Sequence, residues 1–192
     1  MLPWILGGLI GAAVTALIVE LGDGMIEVNG ENVHTNLAKR GELKELADRL
    51  TAGCGGNDAL EIQKLFDYVT AIPYRSDHTS RHPREVLKTN WGDCDDKSNL
   101  FASLLRERRH SYRFVYVPDH VFVVVHVKND KAIKASRAKL IIDGKKYYYA
   151  ETTMTGARIG AFNNYRLKSI EGVYDIRKKE SVAMERISFK IG

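Results

Sequence analysis

The sequence predicts an α+β domain built on an antiparallel sheet, with an apolar helix in front of it. Apolar residues recur at helical spacing as far as Leu105, whereas alternating and β-branched runs take over from Tyr112. Within that second half, Asp143-Gly144 joins two runs in the manner of a hairpin. Helices first and strands afterwards is an α+β order. The 192 residues are 44% hydrophobic and 28% charged, which suits one domain with a real core plus an appendage.

The appendage comes first. Residues 1–19 are almost wholly apolar, and a helix of that length just spans a hydrocarbon core of ~30 Å. Gly7 and Gly11 have the small-xxx-small spacing that lets such helices approach each other. A membrane anchor over 1–20 is therefore expected. A cleaved signal peptide would want a basic start, which is missing, and a buried or oligomer-forming helix is the soluble alternative. The flank holds Glu20, Asp23, Glu27 and Glu31 and no Lys or Arg before Lys39, which favours a non-cytoplasmic domain. A soluble or virion-associated chain is the other localisation. Residues 21–36 read as a linker, with a short hairpin signal at Asn29-Gly30, and 37–192 read as the domain proper.

In that domain, 37–50 predicts an amphipathic helix with Leu43, Leu46 and Leu50 on one face, ended by Gly53 to Gly56. Asn57 or Asp58 opens a second helix that runs to about Ala71 and stops at Pro73. A short turn is expected over 84–87. After the next helix, 112–117 alternates as a strand, Pro118-Asp119 interrupts, and 120–127 is a near-continuous β-branched run. Residues 128–137 read as a loop, 140–142 and 145–150 as the hairpin strands, and 182–191 as a last strand.

The net charge of +5 is dispersed over solvated faces. No basic groove with interleaved aromatics is visible, so no nucleic-acid partner is expected. Two cysteines, Cys54 and Cys94, are too few for a disulfide framework and read as free thiols.

Cys94 is the informative one. Gly92 allows a tight entry, Asp93 is a good N-cap, and Asp95 and Asp96 suit a first helical turn, so Cys94 falls at or beside the helix start. Free N–H groups there favour a thiolate and offer an oxyanion contact. The flanking carboxylates oppose the thiolate, so a cation has to be near. The plain alternative is a cysteine packed as a small apolar residue, and flanking aspartates on both sides make a poor setting for one. A metal site from Asp93, Asp95 and Asp96 is not expected, because carboxylates adjacent on one turn point in different directions and no calcium-loop spacing follows.

A cysteine nucleophile wants an imidazole, and the imidazole wants a carboxylate. His34 lies in the expected linker and His110 reads as solvated at a helix end; His78 and His82 lie in a polar loop. His120 and His126 share a strand face but stand ~20 Å apart, so at most one meets the helix tip. His120, at the strand mouth, is the candidate; His126 reads as a rim residue. Glu151, at the end of a later strand, is the candidate acid.

These residues carry a resemblance. Cysteine at a helix start after Gly92-Asp93, His120 opening a Val-rich strand, and Glu151-Thr152-Thr153 at a strand end resemble the transglutaminase-like, papain-related cysteine hydrolases. Ile72-Pro73-Tyr74-Arg75-Ser76-Asp77 and Pro83-Arg84-Glu85-Val86-Leu87, leading into Gly92-Asp93-Cys94-Asp95-Asp96, are similar to the approach to the nucleophile in bacterial and phage members. The likeness covers about 59–160. Family members usually carry Asp as the third group, where this chain offers Glu151. The resemblance implies a cysteine helix packed on an antiparallel sheet, and acyl transfer on a protein or peptide amide through Cys94, His120 and Glu151. It also implies chemistry with no metal or organic cofactor. Position makes Tyr74 or Trp91 the expected second oxyanion donor. The competing expectation is an idle module of the same fold, membrane-tethered or virion-associated, that binds without chemistry.

Overall fold

The structure is a computed structural model, and it describes residues 20–21, 25–28, 31–77, 79–133, 138–161, 169–178 and 180–188. The apolar segment 1–19 lies outside the described residues. Among the described residues no helix is long and apolar enough to cross a membrane.

The stretch expected as a linker carries strands. β1 (Glu20–Leu21), β2 (Met25–Val28) and β3 (Glu31–His34) form a small antiparallel sheet, with Val28 opposite Glu31 across the Asn29-Gly30 hairpin signal. Four helices follow: α1 (Lys44–Leu50), α2 (Asp58–Ala71), α3 (Pro83–Thr89) and α4 (Cys94–Glu107). Asn57 caps α2 by accepting from the Leu60 N–H at 3.2 Å. Helix α1 is shorter than its apolar period predicts. Residues 38–41 spend their backbone groups on α4 instead: Ala38 N donates to Ser103 Oγ at 3.1 Å and Gly41 N to Glu107 Oε1 at 2.7 Å. Gly41, at φ +90°, then turns the chain into the helix.

The main sheet holds β4 (Tyr112–Val117), β5 (His120–His126), β6 (Lys139–Ile142), β7 (Lys145–Ala150), β8 (Gly172–Asp175), β9 (Glu180–Ser181) and β10 (Arg186–Ser188). Its order is β10-β6-β7-β5-β4-β8-β9, with every neighbouring pair antiparallel. The hairpins turn at Pro118-Asp119 and Asp143-Gly144, where Asp119, Asp143 and Gly144 take positive φ. Strand β8 has no counterpart in the sequence reading. Of the last strand expected over 182–191, the described residues show β10 at 186–188, while β9 precedes that range at 180–181 on the opposite edge of the sheet. A flat sheet of seven strands would put those edges ~29 Å apart. The link over 182–185 reaches less than ~20 Å, so the sheet curls. Val182 N bonds Val173 O at 2.8 Å and Glu185 N bonds Ile141 O at 3.0 Å, so the link ties one edge to the other.

Strand β5 lies between two apolar layers, which is why it reads as a continuous β-branched run. Val121, Val123 and Val125 face a core that includes Leu65, Phe66, Phe101 and Leu105 of the helices. Phe122 and Val124 face Leu140, Tyr149 and Val173 across the other side. Helix α4 is central, and every residue from Asp96 to Leu105 is buried. Its buried lysine is paired inside: Lys97 Nζ donates to Ile72 O at 2.6 Å, closing the C-terminal end of α2.

Candidate active site

The site forms where the N-terminus of α4 meets the open end of the sheet. Asp93 caps α4 by accepting from Asp96 N at 3.2 Å, and Asp96 accepts in return from Asp93 N at 3.4 Å. This reciprocal cap makes Cys94 the first helical residue, half-buried at the edge of the core. Gly92 leaves room for the cap, since a Cβ there would crowd the Asp96 Cβ at 3.0 Å.

The cap folds Asp93 forward and Asp96 back. The three carboxylates of Asp93, Asp95 and Asp96 therefore lie within 4.8 Å of one another, where the sequence reading had them diverging. Their charges are partly answered. Buried Arg81 donates to Asp96 through its backbone N–H at 2.7 Å, through Nε at 3.0 Å, and through a terminal nitrogen. Asp93 is pushed up to about 8 by burial first, then by the hydrogen bond and charge of Asp95.

On the sheet side, Glu151 is buried and its carboxylate is surrounded by donors. Oε2 accepts from His120 Nε2 and from the Tyr149 hydroxyl, each at 2.9 Å. Oε1 accepts from Thr153 N at 3.2 Å and Thr153 Oγ1 at 2.7 Å. Burial alone would raise the Glu151 pKa; the bond and charge of His120, with Thr153 and Tyr149, outweigh it and bring it to about 2. An ionised carboxylate only accepts, so the proton sits on Nε2 and Nδ1 is the basic nitrogen of His120.

The two halves meet at Val121. The β5–β7 ladder ends at the pair Val123–Ala150. Beyond it, a side chain of α4 takes the strand's place: Ser98 Oγ donates to Val121 O at 3.5 Å, and the Val121 N–H is near enough to the Cys94 sulfur to favour its thiolate. Val121 directly follows His120, so the backbone that acts on the sulfur is the one that carries the imidazole. Among the described residues no hydrogen bond joins the sulfur to the ring itself. Burial pushes the Cys94 thiol up to about 11; the Val121 amide pulls the other way, and the charges of Asp95 and Asp93 add to the rise. In this geometry the sulfur is a thiol.

The expected oxyanion donors are in less direct positions. Tyr74 bridges Gly92 through the backbone and exposes 53% of its surface. The Trp91 ring is covered by guanidinium groups, Arg81 at 3.4 Å and Arg75 at 4.6 Å from its centroid. His126 is remote, bonding Lys146 O at 2.9 Å. His82 caps α3, its Nδ1 accepting from Arg84 N at 3.3 Å. His110 is not the solvated residue expected, because its Nε2 pairs with buried Glu61 at 3.2 Å. His78 lies outside the described residues, and of His34 only the backbone, in β3, is described. Sequence reasoning missed Arg81, Lys97, Tyr149 and Thr153. Only Thr153 left a trace, as the hydroxyl two positions after the candidate acid.

A model of the transglutaminase-like superfamily matches residues 44–139. The matched stretch contains Cys94 and His120 and stops short of Glu151. No curated protein matches the chain. Among solved structures, one from Cytophaga hutchinsonii, provisionally described as a cysteine protease, aligns with a TM-score of 0.44 at 12% identity. The alignment covers 77% of this chain and 49% of that one, so this chain spans about half the length of its counterpart. A likeness that distant does not bear on activity.

Proposed function

The chain belongs to the transglutaminase-like superfamily, and from that premise we propose that it performs cysteine-dependent acyl transfer on a protein or peptide amide. Cys94 is the nucleophile, His120 the base and Glu151 the group that orients the base. The observation that carries this reading is the 2.9 Å bond from His120 Nε2 to the buried Glu151 carboxylate, one residue before Val121, whose N–H favours the Cys94 thiolate.

Because the sulfur rests as a thiol, His120 acts as a general base while attack begins, taking the thiol proton on Nδ1. Glu151 stabilises the imidazolium that results. The Cys94 N–H, free at the first turn of α4, donates to the oxyanion. When the intermediate collapses, the imidazolium protonates the leaving amine. Water then releases the thioester, giving peptidase or amidase activity, or an amine such as lysine intercepts it, giving transfer. The apolar segment 1–19 is the proposed anchor that tethers this chemistry to a membrane.

A second reading is an idle module that kept the fold for binding. The thiol pushed up to about 11 favours it. Alkylation of the full chain by iodoacetamide, mapped by mass spectrometry, separates the two. The enzymatic reading expects Cys94 to label near neutral pH and Cys94→Ala to abolish that labelling. Labelling of Cys94 that rises only toward about pH 11 supports the idle module instead.

A further inference from the structure

Tyr116 lies on the same side of the sheet as the candidate nucleophile, with an unused hydroxyl. In β4 it pairs with Val121 of β5, whose N–H favours the Cys94 thiolate. Its ring and Cys94 both border the helix-side core. The ring is held edge-on to Tyr174 at 5.4 Å and stacked near Phe114 at 6.5 Å. Its hydroxyl is buried and has no hydrogen-bond partner among the described residues. An orphaned buried hydroxyl is destabilising, and one kept on the nucleophile's side of the sheet suits a group that meets its partner during reaction.

We infer that Tyr116 is a catalytic residue whose hydroxyl donates to the oxyanion formed when Cys94 attacks a carbonyl. The inference rests on the acyl-transfer reading. Sγ bonds the carbonyl carbon, and the π pair moves onto oxygen. The Cys94 N–H and the Tyr116 O–H both donate to that oxygen and keep their protons. On collapse the pair returns to carbon, the C–N bond breaks, and the amine leaves with the proton that His120 took from the thiol. Burial, with Asp95, Tyr174 and Cys94 around it, holds the phenol well above its ordinary range, so it remains a donor at every working pH. Tyr116 thus fills the role that position alone had suggested for Tyr74 or Trp91.

Tyr112 supplies an internal control. It carries another orphaned buried hydroxyl on the same strand, but ~13 Å farther along it. The test compares Tyr116→Phe, Tyr112→Phe and Cys94→Ala in the full chain. It uses acylation by p-nitrophenyl acetate, which builds an oxyanion, and alkylation by iodoacetamide, which does not. Tyr116→Phe is expected to slow Cys94-dependent acylation by roughly 10²–10³-fold while leaving alkylation unchanged and Tm unchanged or raised, since an unpaired buried hydroxyl is removed. Tyr112→Phe leaves both reactions unchanged. Wild-type acylation by Tyr116→Phe, an equal loss in both Phe variants, or alkylation falling in step with acylation overturns the inference. So does a marked fall in Tm for Tyr116→Phe, since that would reveal a structural bond. Absence of any Cys94-dependent acylation in the wild type overturns the acyl-transfer reading, and this inference with it.

Discussion

Nε2 of His120 lies 2.9 Å from Oε2 of Glu151, on a carboxylate that Tyr149 and Thr153 also hold. The contact assigns the ring's proton: Nε2 donates, and Nδ1 is left unprotonated. Glu151→Gln keeps the shape but removes the charge that stabilises the imidazolium. On the acyl-transfer reading, kcat/KM falls roughly 10²–10⁴-fold with secondary structure intact. Steady-state turnover beside circular dichroism reads this, and near wild-type turnover would remove Glu151 from the site.

The same residue sets an acid limb for stability. Glu151 sits at about 2 in the folded chain against an ordinary 4.5. A carboxylate depressed on folding contributes fully above its unfolded pKa and loses that contribution as pH falls through the folded one. The stability difference between wild type and Glu151→Gln should therefore be largest above about pH 5 and shrink toward about pH 2. Urea midpoints across that range measure it; a difference independent of pH contradicts the assignment.

Asp93 runs the opposite way. Its folded pKa is raised from 3.8 to about 8, by burial and then by Asp95. The folded chain keeps a proton that the unfolded chain releases, so stability falls as pH rises through that window. Asn caps a helix as well as Asp. Asp93→Asn should thus gain Tm over wild type, with a gain that widens as pH rises from about 4 to about 8. It should also speed Cys94 alkylation above about pH 8, where wild-type Asp93 carries its charge. A Tm difference that stays flat with pH refutes the shared proton.

Arg81 and Asp96 are both buried, and each is the other's counter-charge at the cap of α4. Breaking such a pair from one side typically costs ~3–5 kcal/mol, because a bare charge is left inside. Arg81→Met should lower stability by about that much, and adding Asp96→Asn should recover part of it. Chemical denaturation of the single and double variants gives the coupling. Simple additivity would show the pair to be independent.

Much of the architecture was legible because its signals are local. Asn57 and Asp93 mark helix starts by the side-chain oxygen they offer. The Val-rich run at 120–127 and the Asp143-Gly144 turn mark strands by period and by turn chemistry. Local signals failed where distant residues competed for the same backbone. Residues 37–43 carry a helical period, yet Ser103 and Glu107, more than sixty positions later, take their backbone groups and delay α1 to Lys44. Strand β8 is short, and both its neighbours, β4 and the two-residue β9, meet it only in the folded sheet, so nothing local announces it.

The candidate site divides in the same way. Sequence by itself determined that Cys94 stands at a helix tip, that His120 opens a strand and that Glu151 closes one, because capping and alternation act within a few residues. Only the tertiary structure decided that β7 stops short at Ala150 and leaves Val121 for α4 to pair with. It alone brought Arg81 to Asp96, Tyr149 to Glu151 and Tyr116 to Val121. Those meetings depend on how the sheet curls against one buried helix, and the energy of such packing is shared among residues far apart in the chain.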